Sequence, residues 1–263
     1  PAIGALTTKA IEGYAAQEQL VGGVETLFKT SSDTVVGYAN DAYKTAGMSA
    51  NEYMETVTSF SASLLASMNN DTAAAAEKAN VAITDMSDNA NKMGTDISLI
   101  QNAYNGFAKQ NYTMLDNLKL GYGGTKEEMQ RLLDDASKLS GIKYDISSYS
   151  DVVDAIHVVQ TEMGITGTTA KEASTTIEGS VSSMSSAWDN WVAGMADSEA
   201  NFSQLTSNLV DSIVTVVGNI APRVIETVPR LVSGLGEIVE QLATYIPQVI
   251  QELLPPLMSG VQD

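Results

Sequence analysis

An all-α fold follows from three features of the sequence. Apolar residues recur at the three- and four-residue spacing of a helix face over most of its 263 residues. Three helix-start signatures precede such stripes: Ser49 with Glu52, Thr125 with Glu128 and Thr169 with Glu172, each the Ser/Thr-x-x-Glu of a capping box. Proline, glycine and polar residues interrupt every β-branched run, which leaves few convincing strands. The expected architecture is a set of capped helices with glycine-rich breaks, followed by a proline-punctuated amphipathic helical tail.

In order, Ala2–Leu20 carries an apolar stripe at Ile3, Leu6, Ala10, Ile11 and Tyr14, and Gly22-Gly23 is expected to break it. Asp33 caps a second helix to Thr45, with Gly47 as its stop. The Ser49 box opens a helix to about Ser67. Asp71 caps Thr72–Asn91, ending near Gly94, and Asp96 caps one more to about Ala108. Tyr112–Leu118 is a short helix or turn. Gly121, Gly123 and Gly124 form a break that Thr125 and Glu128 close by restarting a helix, which ends at Gly141. These five residues predict a structural hinge, with Tyr104, Phe107, Tyr112 and Tyr122 packed around it. Ile142–Tyr149 is irregular, Ser150 caps Asp151–Met163, and the Thr169 box opens a long helix to about Met195 that carries Trp188 and Trp191.

Composition shifts at Phe202, dividing the chain into a helical segment, 1–200, and a hydrophobic region, 201–263. Apolar residues in the latter include Ile213, Val217, Ile220, Leu231, Leu235 and Leu242. Their mean step of about 3.7 is nearer an eleven-residue repeat than a heptad. Pro222, Pro229, Pro247, Pro255 and Pro256 predict kinks, and Pro222–Pro229 echoes Pro247–Pro255 as a weak internal repeat. Trp188, Trp191 and the apolar positions just named are the expected packing or inter-copy contacts.

The net charge is -18, from 14 Lys and Arg against 32 Asp and Glu, with the bases scattered. That argues against specific or non-specific nucleic-acid binding, which needs clustered cations against phosphates. Cysteine is absent, so disulfides, thiolate metal sites and a Cys nucleophile are excluded together. Aromatics make up 6% of the residues and many helices are lined by Ala, Ser and Thr. Such faces bury little area, which predicts a thin core or one completed by partner chains. The chain opens on Pro1 without an initiator Met, so a fragment or a processed product is expected. Pro1–Lys9 lacks the basic start and long apolar run of a secretory signal.

Several patterns invite chemistry and are better explained by structure. His157, the single histidine, stands mid-helix with no Gly-x-Ser-x-Gly elbow to serve. Gly121–Lys126 has Thr-Lys where a phosphate loop needs Gly-Lys before Ser/Thr, and no strand precedes it. Glu127/Glu128 and Asp134/Asp135 are adjacent, so each pair diverges by about 100° around a helix instead of converging on a cleft. Uncharged runs in the tail, such as Ser212–Pro222, are shorter than the roughly 20 residues of a membrane span. No catalytic, cofactor or metal set is expected.

Long phrases carry a resemblance. ANDAYKTAGMSANEYMETVTSFSASLLA (Ala39–Ala66), DNANKMGTDISLIQNAYNGFAKQNYTMLDNLKLGYGGTKEEMQRLL within Ile83–Leu139, ITGTTAKEASTTIEGSVSSMSSAWDNWVAGMAD (Ile165–Asp197) and EQLVGGVETLF (Glu18–Phe28) closely resemble the tape measure proteins of long-tailed phages and prophages of Gram-positive bacteria. The resemblance covers most of Gln17–Asp197; after Phe202 it is one of style. It implies a structural virion protein in the tail lumen or tip, made in the host cytoplasm, whose length sets tail length and which leaves ahead of DNA. Members of that family sometimes carry a peptidase or lytic domain, and nothing in this sequence matches one, so no enzyme is expected. Its implied partners are further copies in a small symmetric bundle, the tail tube, the tail tip and tail-assembly chaperones. The rival reading is a membrane-active helical module after Phe202 that aids DNA passage through the host envelope.

Overall fold

The structure is a computed structural model describing residues 2–259, with side chains described through Glu237 and at Glu240. The described residues are helical, with no strand among them. In order they form α1 (Ala2–Phe28), a 3-10 turn (Lys29–Ser31), α2 (Ser32–Thr45), α3 (Ala50–Ser67), α4 (Thr72–Met93) and α5 (Ile97–Phe107). A second 3-10 turn (Leu115–Leu118) leads to α6 (Lys126–Ser140), α7 (Tyr149–Glu162), α8 (Thr168–Thr175), α9 (Ile177–Gly194) and α10 (Phe202–Ser259). The chain divides into two compact units, Pro1–Val216 and Val217–Asp263, so the first takes in the opening turns of α10, past the expected division at 200.

Local capping chemistry sets most starts in the first unit. Ser49 Oγ accepts from the Glu52 N–H at 3.2 Å while Glu52 Oε2 accepts from the Ser49 N–H at 2.8 Å, a complete capping box. Asp71 accepts from the Ala74 N–H and Asp96 from the Ser98 N–H, as expected of N-caps. Gly94 and Gly141 end α4 and α6 in left-handed conformations.

Four expectations are corrected. Gly22-Gly23 do not break α1. Val24 and Phe28, just beyond them, are fully buried, and burying those side chains outweighs the glycine penalty of about 1 kcal/mol each. Asp33 lies in the first turn of α2, and the N-cap position belongs to Ser31, whose hydroxyl meets Thr72 instead. Ser148, not Ser150, caps α7 through the Asp151 N–H. The long helix from Thr169 is two helices. The Thr169 N–H is taken by Asp88 of α4, so no box forms with Glu172. Thr176 is extended and caps α9 through the Gly179 N–H at 3.0 Å.

Nor is the core of the first unit thin. One contiguous cluster runs from Val24 to Ile165. Alanines at 39, 42, 75, 76, 79 and 82, all fully buried, let α2 and α4 approach their neighbours closely. The space is filled by Phe28, Tyr53, Phe60, Tyr104 and Phe107, each at most 2% exposed. The Tyr53 hydroxyl donates to Asn80 at 2.9 Å and that of Tyr149 to the Tyr104 carbonyl at 3.2 Å, so these rings bury their apolar bodies with the polar tip satisfied. Burial holds both hydroxyls in the protonated form, well above the usual tyrosine range.

Candidate functional site

The glycine stretch lies outside helix, between the second 3-10 turn and α6. Gly121 adopts φ +87°, a left-handed conformation that disfavours side chains. Gly124 is needed for proximity: a Cβ there would stand 2.3 Å from the Thr113 carbonyl oxygen. Gly123 has room for one, at 3.5 Å from Glu128 Cγ. Thr125 Oγ1 accepts from the Glu128 N–H at 3.2 Å. The Glu128 carboxylate reaches past Thr125 to the Gly123 N–H at 2.9 Å, so the expected reciprocal box is half-formed.

Arg131 organises this corner. It donates to Glu128 at 3.0 and 2.7 Å and to the Gly121 carbonyl at 2.8 Å. Its guanidinium lies 4.3 Å from the Tyr122 ring centroid. Arg131 first, then the Gly123 amide, holds the Glu128 carboxyl down to about 2. The Tyr122 hydroxyl donates to Asp135 at 2.9 Å, and burial with this bond pushes it up to about 12. Asp135 also pairs with Lys138 at 2.8 Å, while Asp134 accepts from Gln130. The adjacent carboxylates are thus tied into their own helix. Around the break Tyr104, Phe107 and Tyr112 are buried, with ring centroids 5.7 and 6.2 Å apart, and Tyr122 is partly buried against the core.

Trp188 and Trp191 meet where α9 passes to α10. Their rings lie 5.3 Å apart, and Trp191 lies 5.5 Å from Phe202. Trp191 Nε1 donates to Thr206 Oγ1 at 3.0 Å. Below them Tyr43, Ala187 and Leu209 form a small separate cluster. Beyond it α10 turns apolar side chains outward. Ile213, Val217, Leu231 and Leu235 are 43, 58, 58 and 53% exposed, and Ile220 is half-buried. Leu242 falls among residues whose side chains are not described.

One apolar line on α10 can be followed through Leu235. Val210, Val214, Val217, Ala221, Val224, Val228, Leu231 and Leu235 alternate steps of four and three, a heptad pattern. Ile225 and Val232, 72 and 65% exposed, widen it. Arg223, Glu226, Arg230 and Glu237 stand on the other side. α10 continues through all five tail prolines. Pro222 and Pro229 stand off the stripe at exposed positions, where water can reach the carbonyls they leave unpaired. By length and composition alone, Phe202–Glu237 is long and apolar enough to cross a membrane.

A polar seam between α4 and α7 escaped the sequence. Asp85, 1% exposed, faces His157, whose Nδ1 lies 2.9 and 3.0 Å from its two oxygens. Lys78 pairs with Asp154 on one side of them. On the other, Asn89 donates to Gln160 at 2.7 Å and to the Leu118 carbonyl at 2.9 Å. Asp88, fully buried, accepts from the Gly167 and Thr169 N–H groups at 2.6 and 2.8 Å, where α8 begins. The available signal was polar spacing: Asp85 with Asp88 and Asn89 three and four residues on, and Asp154, His157 and Gln160 at steps of three. Among the described residues no group of three or more His, Asp or Glu side chains could hold a metal ion. Comparison of the chain with protein-family models, curated proteins and solved structures finds no match.

Proposed function

We propose that this chain is a structural virion protein: a segment of a phage tail tape measure protein that helps set tail length and leaves the tail ahead of DNA. The observation that carries the reading is α10, a 58-residue helix whose apolar stripe between Val210 and Leu235 is exposed except at half-buried Ala221. A helix advances about 1.5 Å per residue, so chain length in such an element converts linearly into distance. An uncovered a/d stripe is what side-by-side copies of a chain bury against one another. The sequence phrases in Gln17–Asp197 support the same reading. The partners are then further copies in a small symmetric bundle, the tail tube and tip, and tail-assembly chaperones. The locations are the tail lumen or tip, and the host cytoplasm during assembly. The role is structural, with no reaction assigned.

The test is genetic. In-frame removal of three heptads from the exposed part of α10, in a phage carrying the chain, shortens tails by roughly 30 Å in electron micrographs. Tails of unchanged length would overturn the ruler role.

The apolar composition of Phe202–Glu237 favours a second reading, a module that enters the host envelope. Full-length protein then releases dye from liposomes, and release stops with Val228→Glu/Leu235→Glu. Failure to bind liposomes at any pH removes this alternative.

A further inference from the structure

We infer that the Asp85–His157 pair is a titrating clasp: it holds α7 and α8 against α4 while the imidazole is charged, and that junction loosens as pH rises through the neutral range. The inference is independent of the role in a tail.

The geometry is a three-rung polar ladder between helices running the same way. Lys78–Asp154, Asp85–His157 and Asn89–Gln160 succeed one another along both α4 and α7. The middle rung holds the imidazole, whose ordinary pKa lies near neutral pH. Its carboxylate is 1% exposed, and His157 is the single histidine of the chain. A buried carboxylate that loses its countercharge is strongly destabilising. A neutral imidazole still donates one hydrogen bond from Nδ1, but it no longer balances Asp85. Asp88, one turn along α4 and also buried, adds a second negative charge to the same edge. That edge carries more than α7. Asp88 holds the first amides of α8, Asn91 donates to Thr169 Oγ1, and Asn89 holds the Leu118 carbonyl.

The groups acting on the imidazole are Asp85 and Asp88 from α4 and Asp154 from its own helix. The hydrogen bond to Asp85 raises its pKa above the ordinary 6.5, against burial, which lowers it. Lys78, the nearby cation of α4, is committed to Asp154. On α6 Arg131 pairs with Glu128 and Lys138 with Asp135, and on α3 Glu52 closes its capping box. A histidine whose pKa is raised by folding contributes stability in full below its unfolded value and loses it as pH rises through the folded one. Asp85 shifts upward too, chiefly by burial, and so acts with the same sign.

One histidine gives one imidazole Hε1 proton signal per chain, so the titration can be read on the unaltered protein. The expected midpoint lies above 6.5; a midpoint at or below 6.5 overturns the clasp. Amide hydrogen exchange then tests the junction. Between about pH 6 and about pH 8.5, after correction for intrinsic exchange, protection at Gly167 and Thr169 falls several-fold relative to core amides of α3. An unchanged ratio overturns the inference. His157→Gln weakens this pH dependence, leaving only the part carried by Asp85, and lowers protection at pH 6 toward the wild-type value at pH 8.5. A folded His157→Gln protein that keeps the wild-type pH dependence overturns it as well. If that variant fails to fold, the two wild-type measurements decide alone.

Discussion

Three glycines within four residues meet three different constraints, and substitution separates them. Gly124→Ala drives a methyl into the Thr113 carbonyl and is expected to cost about 1–3 kcal/mol, as overpacking does. Gly121→Ala has open space but a left-handed backbone, and the expected cost is about 1–2 kcal/mol. Gly123→Ala meets only ordinary van der Waals contact and is expected to stay within about 0.5 kcal/mol of wild type. Urea midpoints of the three variants check the ranking. That a break lies here was legible from the glycines themselves. Which glycine does what was not, because the oxygen that Gly124 must clear belongs to a residue eleven positions earlier. N-caps divide the same way. Ser49, Asp71, Asp96 and Thr125 cap as read because their partners are local. Thr169 does not, because the carboxylate that takes its amide comes from Asp88, far away in sequence.

Elements were lost or gained where packing overrode punctuation. α1 runs through Gly22-Gly23 because the buried residues past them need the helix to continue. The break between α8 and α9 has no glycine-proline signal. It rests on Thr176 as a cap and on Gly179, where a Cβ would lie 2.4 Å from the Glu172 carbonyl. Thr176→Ala therefore removes a cap and is expected to cost about 1 kcal/mol, measured as a lowered urea midpoint. On α10 the apolar periodicity was legible, since a wide stripe accommodates both three- and four-residue steps. Val228→Glu/Leu235→Glu places charge in the stripe of the second unit. In sedimentation velocity it is expected to abolish concentration-dependent association, while the melting of the first unit is unchanged.

At the scale of the molecule, the low aromatic content suggested a core that needs partners. The first unit buries one contiguous cluster, because small residues bring helices close enough for a few large rings to fill the remaining space. A chain truncated after Val216 is expected to be a monomer that unfolds cooperatively, checked by sedimentation and calorimetry. A broad, non-cooperative transition would show that the core needs more than this unit supplies. The acidic surplus is expected to act as general self-repulsion. Raising sodium chloride from about 0.01 to about 0.15 M should raise the melting temperature of full-length protein, as screening grows.

Both tryptophans of the chain lie in the one small cluster joining α9 to the first turns of α10. The chain therefore carries a built-in optical reporter at that joint and nowhere else. Emission excited near the red edge of the absorption band will follow the docking of α10 on α9. Far-ultraviolet ellipticity will follow the helices as a whole. If the joint opens before the main core melts, the two signals will separate on heating, and the gap between them measures how independently α10 comes away.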